Sequence, residues 1–170
     1  MKVIAQRLIM ACLAISMFVL IMAFDYQTKT WASAKLEYGT YISTEKLGDK
    51  SNPIIDPFVM GYKLIHNEMS YFATAASWVY FSFYGVVVLF MGFLMIKAFI
   101  DRAPARLIAT TLVISGATGN TIDRFVNGYV VEFMLFDPEG AYMNVADLAV
   151  FTGLTLLLLT FFYRHNPTPV

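Results

Sequence analysis

Residues 8–24 read LIMACLAISMFVLIMAF, 17 positions without a charge. A membrane-crossing helix needs about 20 mostly apolar residues. Three further runs follow: 71–96, with no charge, 107–122, rich in small and β-branched residues, and 145–163, apolar except for Asp147. Composition agrees. Hydrophobic residues make up 58% of the 170 and charged residues 14%, with a mean hydropathy of +0.62, against roughly 45–50% and about 25% in soluble domains. The expected fold class is an all-α integral membrane protein with four transmembrane helices, residues 1–170 forming one membrane domain. The formal net charge is zero, so no basic excess exists to hold a nucleic-acid backbone. Cys12 is the single cysteine, so no intrachain disulfide is possible. With only His66 and His165 beside it, no clustered Cys/His zinc site is expected, and no metal or cofactor is predicted.

The first run invites a signal-peptide reading, with Lys2 and Arg7 as the basic flank. It is long for that role, no A-x-A-like site follows it, and too little of it precedes Cys12 for a lipidation box. A retained helix is the expectation. Orientation follows from Lys and Arg. With four spans, the termini and segment 97–106 share a side carrying six basic residues in 24, against six in the 68 of segments 25–70 and 123–144. Both termini are therefore expected in the cytoplasm. Eleven of the twelve acids then fall at or beyond the outer face, where any chemistry should sit.

The outer segments 25–70 and 123–144 are unequal. The first has short β-prone pieces, TYIS and PFVMGYKLI, punctuated by Gly and Pro, and predicts a small sheet on the membrane surface. The second has an apolar middle, YVVEFMLF, and a turn at 137–140. Gly85 and Gly92 are expected at close helix contacts, and Tyr71, Trp78 and Tyr163 at the membrane interface. His66 is expected as a solvated rim residue.

Ionisable residues at membrane depth are costly and mark function by default. Asp123 follows the third run and Asp147 opens the fourth. The third helix runs outward and the fourth inward, so both aspartates reach one outer depth. Two carboxyl groups brought close share a proton, one serving as base for a water and the other as acid toward a carbonyl. The plainer reading makes Asp147 a helix-terminus acid and Asp123 a residue offset by Arg124. Around them, Ser115 to Gly119 is a run of small residues suited to close helix approach. Asn120 and Asn144 each precede an aspartate by three positions, on one helical face with it.

These elements, Gly116-x-x-Gly119-Asn120-x-x-Asp123-Arg124, then Gly128-x-Val130-Val131-Glu132-Phe133, then Asn144-Val145-Ala146-Asp147, resemble the lipoprotein signal peptidase (signal peptidase II) family. Its pattern reads G-x-x-G-N-x-x-D-R, G-x-V-x-D-F and F-N-x-A-D. Upstream, Asp25 and Lys29 match a D-x-x-x-K element, and Asn67 and Phe72 match the ends of N-x-G-A-A-F. The resemblance implies an aspartic endopeptidase of the bacterial cytoplasmic (inner) membrane that removes signal peptides from diacylglyceryl-modified prolipoproteins. It implies Asp123 and Asp147 as the catalytic dyad. Asn120, Arg124, Asn144 and Ala146 would shape the site and contact the substrate. Asp25, Lys29 and Asn67 would support substrate binding at the outer rim. It also implies an extracytoplasmic β-cradle, a short helix from the second outer segment over the site, and membrane lipid as neighbour. A monomer is expected, because the dyad can be built within one chain.

The departures bear on substrate choice. Glu68-Met69-Ser70-Tyr71 stands where the family has small residues, Tyr26 replaces a Gln, and Glu132 replaces the Asp before Phe133. Met143 replaces an aromatic and Leu148 a small polar residue. The alternative is therefore a non-catalytic or narrowly specialised paralogue that binds a lipidated or membrane-embedded client. A proton-coupled transporter ranks below both, because no inverted repeat is visible.

Overall fold

The computed structural model describes residues 2–67, 77–136 and 141–163. Among these residues four α-helices carry the chain: α1 Lys2–Lys35, α2 Ser77–Ile100, α3 Pro104–Asn127 and α4 Val145–Tyr163. Four short strands lie between them: β1 Ile42–Ser43, β2 Gly61–Asn67, β3 Val130–Leu135 and β4 Tyr142–Met143. The chain is thus mostly helical with a small antiparallel sheet, ordered β1-β2-β3-β4. Among the described residues, two helices are long and apolar enough to cross a membrane, over Val3–Lys35 and Val145–Phe162. In α2 the described apolar stretch is shorter, Tyr84–Ile100.

The first helix does not stop at Phe24. It continues ten residues past Asp25, so both Asp25 and Lys29 are helical rather than the start of a loop. At 1.5 Å per residue its 34 residues span about 50 Å, more than the roughly 30 Å hydrocarbon thickness. Its apolar part exposes Leu8, Leu13, Val19 and Leu20, while its far end buries Ala32 and Leu36 against the sheet. There Trp31 meets Tyr62 and Phe133 edge-on, with centroids 5.2 and 6.0 Å apart. Tyr62 is fully buried and donates its hydroxyl to Asp56 Oδ1 at 2.7 Å. Burial, then that carboxylate, pushes its phenol far above the usual range. This cluster is the core of the cap that the sheet forms on α1.

The third helix is central, touching the other three. In its buried middle the hydroxyls are satisfied by its own backbone: Thr111 donates to the Leu107 carbonyl at 2.8 Å and Ser115 to that of Thr111 at 2.7 Å, whereas Thr121 Oγ1, nearer its far end, is buried without a partner among the described residues. A helix less apolar than its neighbours can sit among them because these groups need no outside partner. It pairs closely with α4 through glycine. A methyl added at Gly116 would run into the Ala146 carbonyl, and one at Gly153 would lie 2.7 Å from the Ala109 carbonyl. Gly85 and Gly92 play no such part: a methyl at either meets nothing within 4 Å. The helix runs past Asp123 to Asn127, and Gly128 ends it at φ 82°, its N–H donating to the Arg124 carbonyl.

The predicted sheet pieces are present, TYIS contributing β1 and GYKLI lying within β2. The second outer segment is a strand pair rather than a helix over the site, among the described residues, because its apolar middle pairs with β2. His66 is a half-buried strand residue rather than a loop one, with its ring 3.9 Å from that of Tyr129 and 4.8 Å from that of Tyr38. The 137–140 turn, the Glu68 to Tyr71 departures and Phe72 lie outside the described residues, as do the side chains of Trp78 and Tyr163.

Candidate active site

The site forms where the C-terminal parts of α1 and α3 meet the start of α4 beneath the sheet. Asn144 sits just before α4 and is fully buried. Its Oδ1 accepts the Asp147 N–H at 2.8 Å, and Asp147 Oδ2 accepts the Asn144 N–H at 3.0 Å. This reciprocal cap satisfies two otherwise unpaired donors and fixes the Asp147 carboxylate. The next donor in the turn, the Ala146 N–H, reaches Asp25 Oδ1 at 2.8 Å, so α1 caps α4.

Lys29 is the hub. Its ammonium donates to Asp25 Oδ2 at 2.7 Å and to Asn120 Oδ1 at 3.0 Å, and pairs with Asp123 Oδ2 at 2.9 Å. Asn120 passes the chain on, its Nδ2 donating to Asp147 Oδ1 at 2.6 Å. Asn144 Nδ2 closes the network on Asn120 Oδ1 and the Val131 carbonyl, at 3.0 and 3.1 Å. The two aspartates expected from the sequence are thus linked as Asp123–Lys29–Asn120–Asp147. Asp25 and Lys29 are 3% and 5% exposed. They lie under the site, not on an outer rim, because the first helix carries them in against α3 and α4.

Above this network opens a cleft of about 550 Å³. Asn67, Asn120, Arg124, Glu132 and Asp147 give its polar wall. Val150, Phe151 and Leu154 of α4 give an apolar one. Asn144 and Ala146 are buried behind it and shape the backbone there. Asp123 is not among the described residues lining the cleft: its carboxylate turns to Lys29 and the Val131 N–H.

The acid that does line the cleft with Asp147 is Glu132, from the middle of β3. Asn67 Nδ2 donates to its Oε1 at 2.6 Å. Burial pushes the Glu132 carboxyl above the usual range, and the charge of Asp147 adds to that; the Asn67 hydrogen bond, Arg124 and Lys29 act the other way. Depth-based reading misses Glu132, because it sits in a strand, not at a span end. The available signal was a lone acid inside the apolar run YVVEFMLF, which exposes nothing large and polar without a reason. Among the described residues, no group of three or more His, Cys, Asp or Glu side chains is arranged to hold a metal ion.

The fold is that of known bacterial membrane enzymes. It matches one such enzyme solved by the in meso method at 1.9 Å resolution with a TM-score of 0.65 and 20% identity, covering 87% of this chain and 91% of that one. A second, at 2.3 Å resolution, gives a TM-score of 0.68 and 18% identity over 92% and 91%. The family model described as "Signal peptidase (SPase) II" matches residues 17–163. This chain belongs to the signal peptidase II family, whose members are membrane proteases. It is 34% identical to the lipoprotein signal peptidase of Tolumonas auensis over 124 residues, covering 65% of this chain and 73% of that one. It is 30% identical to that of Serratia marcescens over 144 residues, covering 82% and 78%.

Proposed function

We propose that this chain is an intramembrane endopeptidase of the carboxyl-dyad type that removes signal peptides from diacylglyceryl-modified prolipoproteins. The observation that carries the reading is a cleft with a capped carboxylate, Asp147, on a wall shared with a second acid. One membrane domain, four spans, both termini in the cytoplasm and a β-cradle on the outer face of the bacterial inner membrane fit this role. The support is the distribution of Lys and Arg and the placement of the polar network at one end of the bundle.

The partner acid best supported by the cleft is Glu132. Asp147 has both oxygens occupied by donors, from Asn120 and the Asn144 N–H, which suits a carboxylate acting as base. Glu132, pushed up by burial, suits the acid. A water between them gives a proton to Asp147 as its oxygen bonds to the scissile carbonyl carbon. Glu132 gives its proton to the carbonyl oxygen, forming a gem-diol. Collapse breaks the C–N bond, the nitrogen takes the proton from Asp147, and one diol hydroxyl returns a proton to Glu132. Asn120, Arg124 and Asn67 line the substrate path, and the apolar wall on α4 receives the lipid-modified, membrane-embedded part of the substrate.

A second reading keeps Asp123 as partner to Asp147, favoured by the Lys29–Asn120 link between them. A gel-shift cleavage assay in detergent separates the two, using a diacylglyceryl-modified prolipoprotein and its unlipidated form. Asp147→Asn and Glu132→Gln abolish cleavage of the lipidated form in folded protein. Asp123→Asn loses activity together with stability. Full turnover by Glu132→Gln, with none by stably folded Asp123→Asn, would transfer the role to Asp123. Wild type that binds the lipidated form and never cuts it would make this a client-binding paralogue.

A further inference from the structure

Strands β2 and β3 do not pair evenly. Tyr62 lies opposite Met134, but Ile65 lies opposite Glu132: three steps on β2 against two on β3. One extra residue is therefore inserted in β2 between these pairs, a β-bulge. Side chains alternate along a strand, so one inserted residue exchanges the two faces beyond it. With even pairing, His66 would lie opposite Val130, and Asn67 would turn to the far face. With the bulge, Asn67 lies opposite Val130, diagonal to Glu132 and on its face. His66 goes instead between Tyr38 and Tyr129. The bulge thus delivers an amide, not an imidazole, to the cleft acid.

We propose that Asn67 is a positioning residue for Glu132: the bulge in β2 aims its amide at Oε1, which fixes the carboxyl plane and leaves Oε2 as the working oxygen. The inference rests on the Glu132–Asp147 reading above. The bond is 2.6 Å long and joins neighbouring strands, so it needs little ordering of long side chains. It also answers the extra methylene that Glu132 has over the family's Asp. A longer arm has one more torsion to fix, and the amide fixes it. Besides the neutral Asn67 amide, the charged groups that act on Glu132 are Asp147 from α4, Arg124 from α3 and Lys29 from α1.

The test uses the full-length protein in detergent with the diacylglyceryl-modified prolipoprotein. Asn67→Ala and the isosteric Asn67→Asp are compared with wild type for kcat, KM and the pH profile. Asn67 is exposed, so neither change opens a buried cavity. In Asn67→Ala, kcat falls on the order of 10- to 100-fold with KM little changed, as for a misplaced catalytic group. The alkaline limb moves to higher pH, because a donor that favoured the ionised carboxyl is gone. Asn67→Asp moves the limb further, since a second carboxylate faces Glu132. A KM increase with unchanged kcat would instead make Asn67 a substrate contact and overturn the proposal. So would a limb that stays put in both variants. Glu132→Gln runs beside them: if it cleaves normally, the underlying acid assignment fails, whatever Asn67 does.

Discussion

Lys29→Met tests whether the buried hub holds the site together. The methionine keeps the unbranched stem and removes the ammonium. Three contacts go: Asp25 at 2.7 Å, Asp123 at 2.9 Å and Asn120 at 3.0 Å. At such distances each ion pair is worth on the order of 5 kcal/mol before desolvation, at an effective dielectric near 20. Much of that is offset by the cost of burying the charges. The variant forfeits the attraction and keeps two carboxylates out of water. Each retains a backbone donor, Ala146 N–H for Asp25 and Val131 N–H for Asp123, so the loss is softened, not cancelled. A net cost of about 3–5 kcal/mol is expected, as for other broken buried pairs. Reversible chemical denaturation in detergent measures it. Adding Asp25→Asn should recover part of the loss, with a coupling of about 1–3 kcal/mol in the double-mutant cycle. A cost under about 1 kcal/mol would mean that Lys29 behaves as a solvated surface pair, and the buried-hub argument would be refuted.

Gly116→Ala drives a methyl into the Ala146 carbonyl and to 2.9 Å from Val150 Cγ2. Helix backbone cannot swing aside, so about 1–3 kcal/mol of stability is lost, and cleavage falls because Asp147 moves with α4. Cleavage and melting measured on one preparation check both. Tyr62→Phe removes one donor to Asp56, which keeps Ser51 Oγ at 2.6 Å and the Asn52 N–H; a loss of about 1 kcal/mol is expected, read as faster proteolysis of the segment between β1 and β2 with turnover kept. Because the Glu132 carboxyl is raised on folding, its contribution to stability is full below its unfolded value and is lost as pH rises through the folded one. Stability curves against pH should therefore flatten over that window in Glu132→Gln, and identical curves would refute the assignment of its burial.

How far the sequence could be read depended on which signal each residue left. The apolar runs are local, so the helices were legible, and so were Asp147, Asn120 and Asn144, whose spacing is helical. The run of small residues at Gly116 and Gly119 was legible as a contact, although not that its partner would be the Ala146 carbonyl. The end of α1 was not. Asp25 and Lys29 looked like a membrane boundary, because a charge in an apolar run normally stops it. Here each charge is met by the other and, for Lys29, by Asp123 of α3, some ninety positions away, and no window along the chain contains that partner. Glu132 was hidden for a related reason. Membrane depth singles out acids at span ends, which favours Asp123. Yet Asp123 is paired with its own lysine, and its carboxylate turns away from the cleft. The acid worth suspecting is the one that lines the cleft beside Asp147. In β3 that is Glu132, flanked by Val131 and Phe133 and met across the bulge by the Asn67 amide. The bulge itself leaves no composition signal, since an inserted residue is visible only against the strand it pairs with. The same reasoning separates the two roles an aspartate can take here: Asp123 and Asp25 hold helices together through Lys29, and Asp147 both caps α4 and faces the cleft, so its helix start fixes that carboxylate.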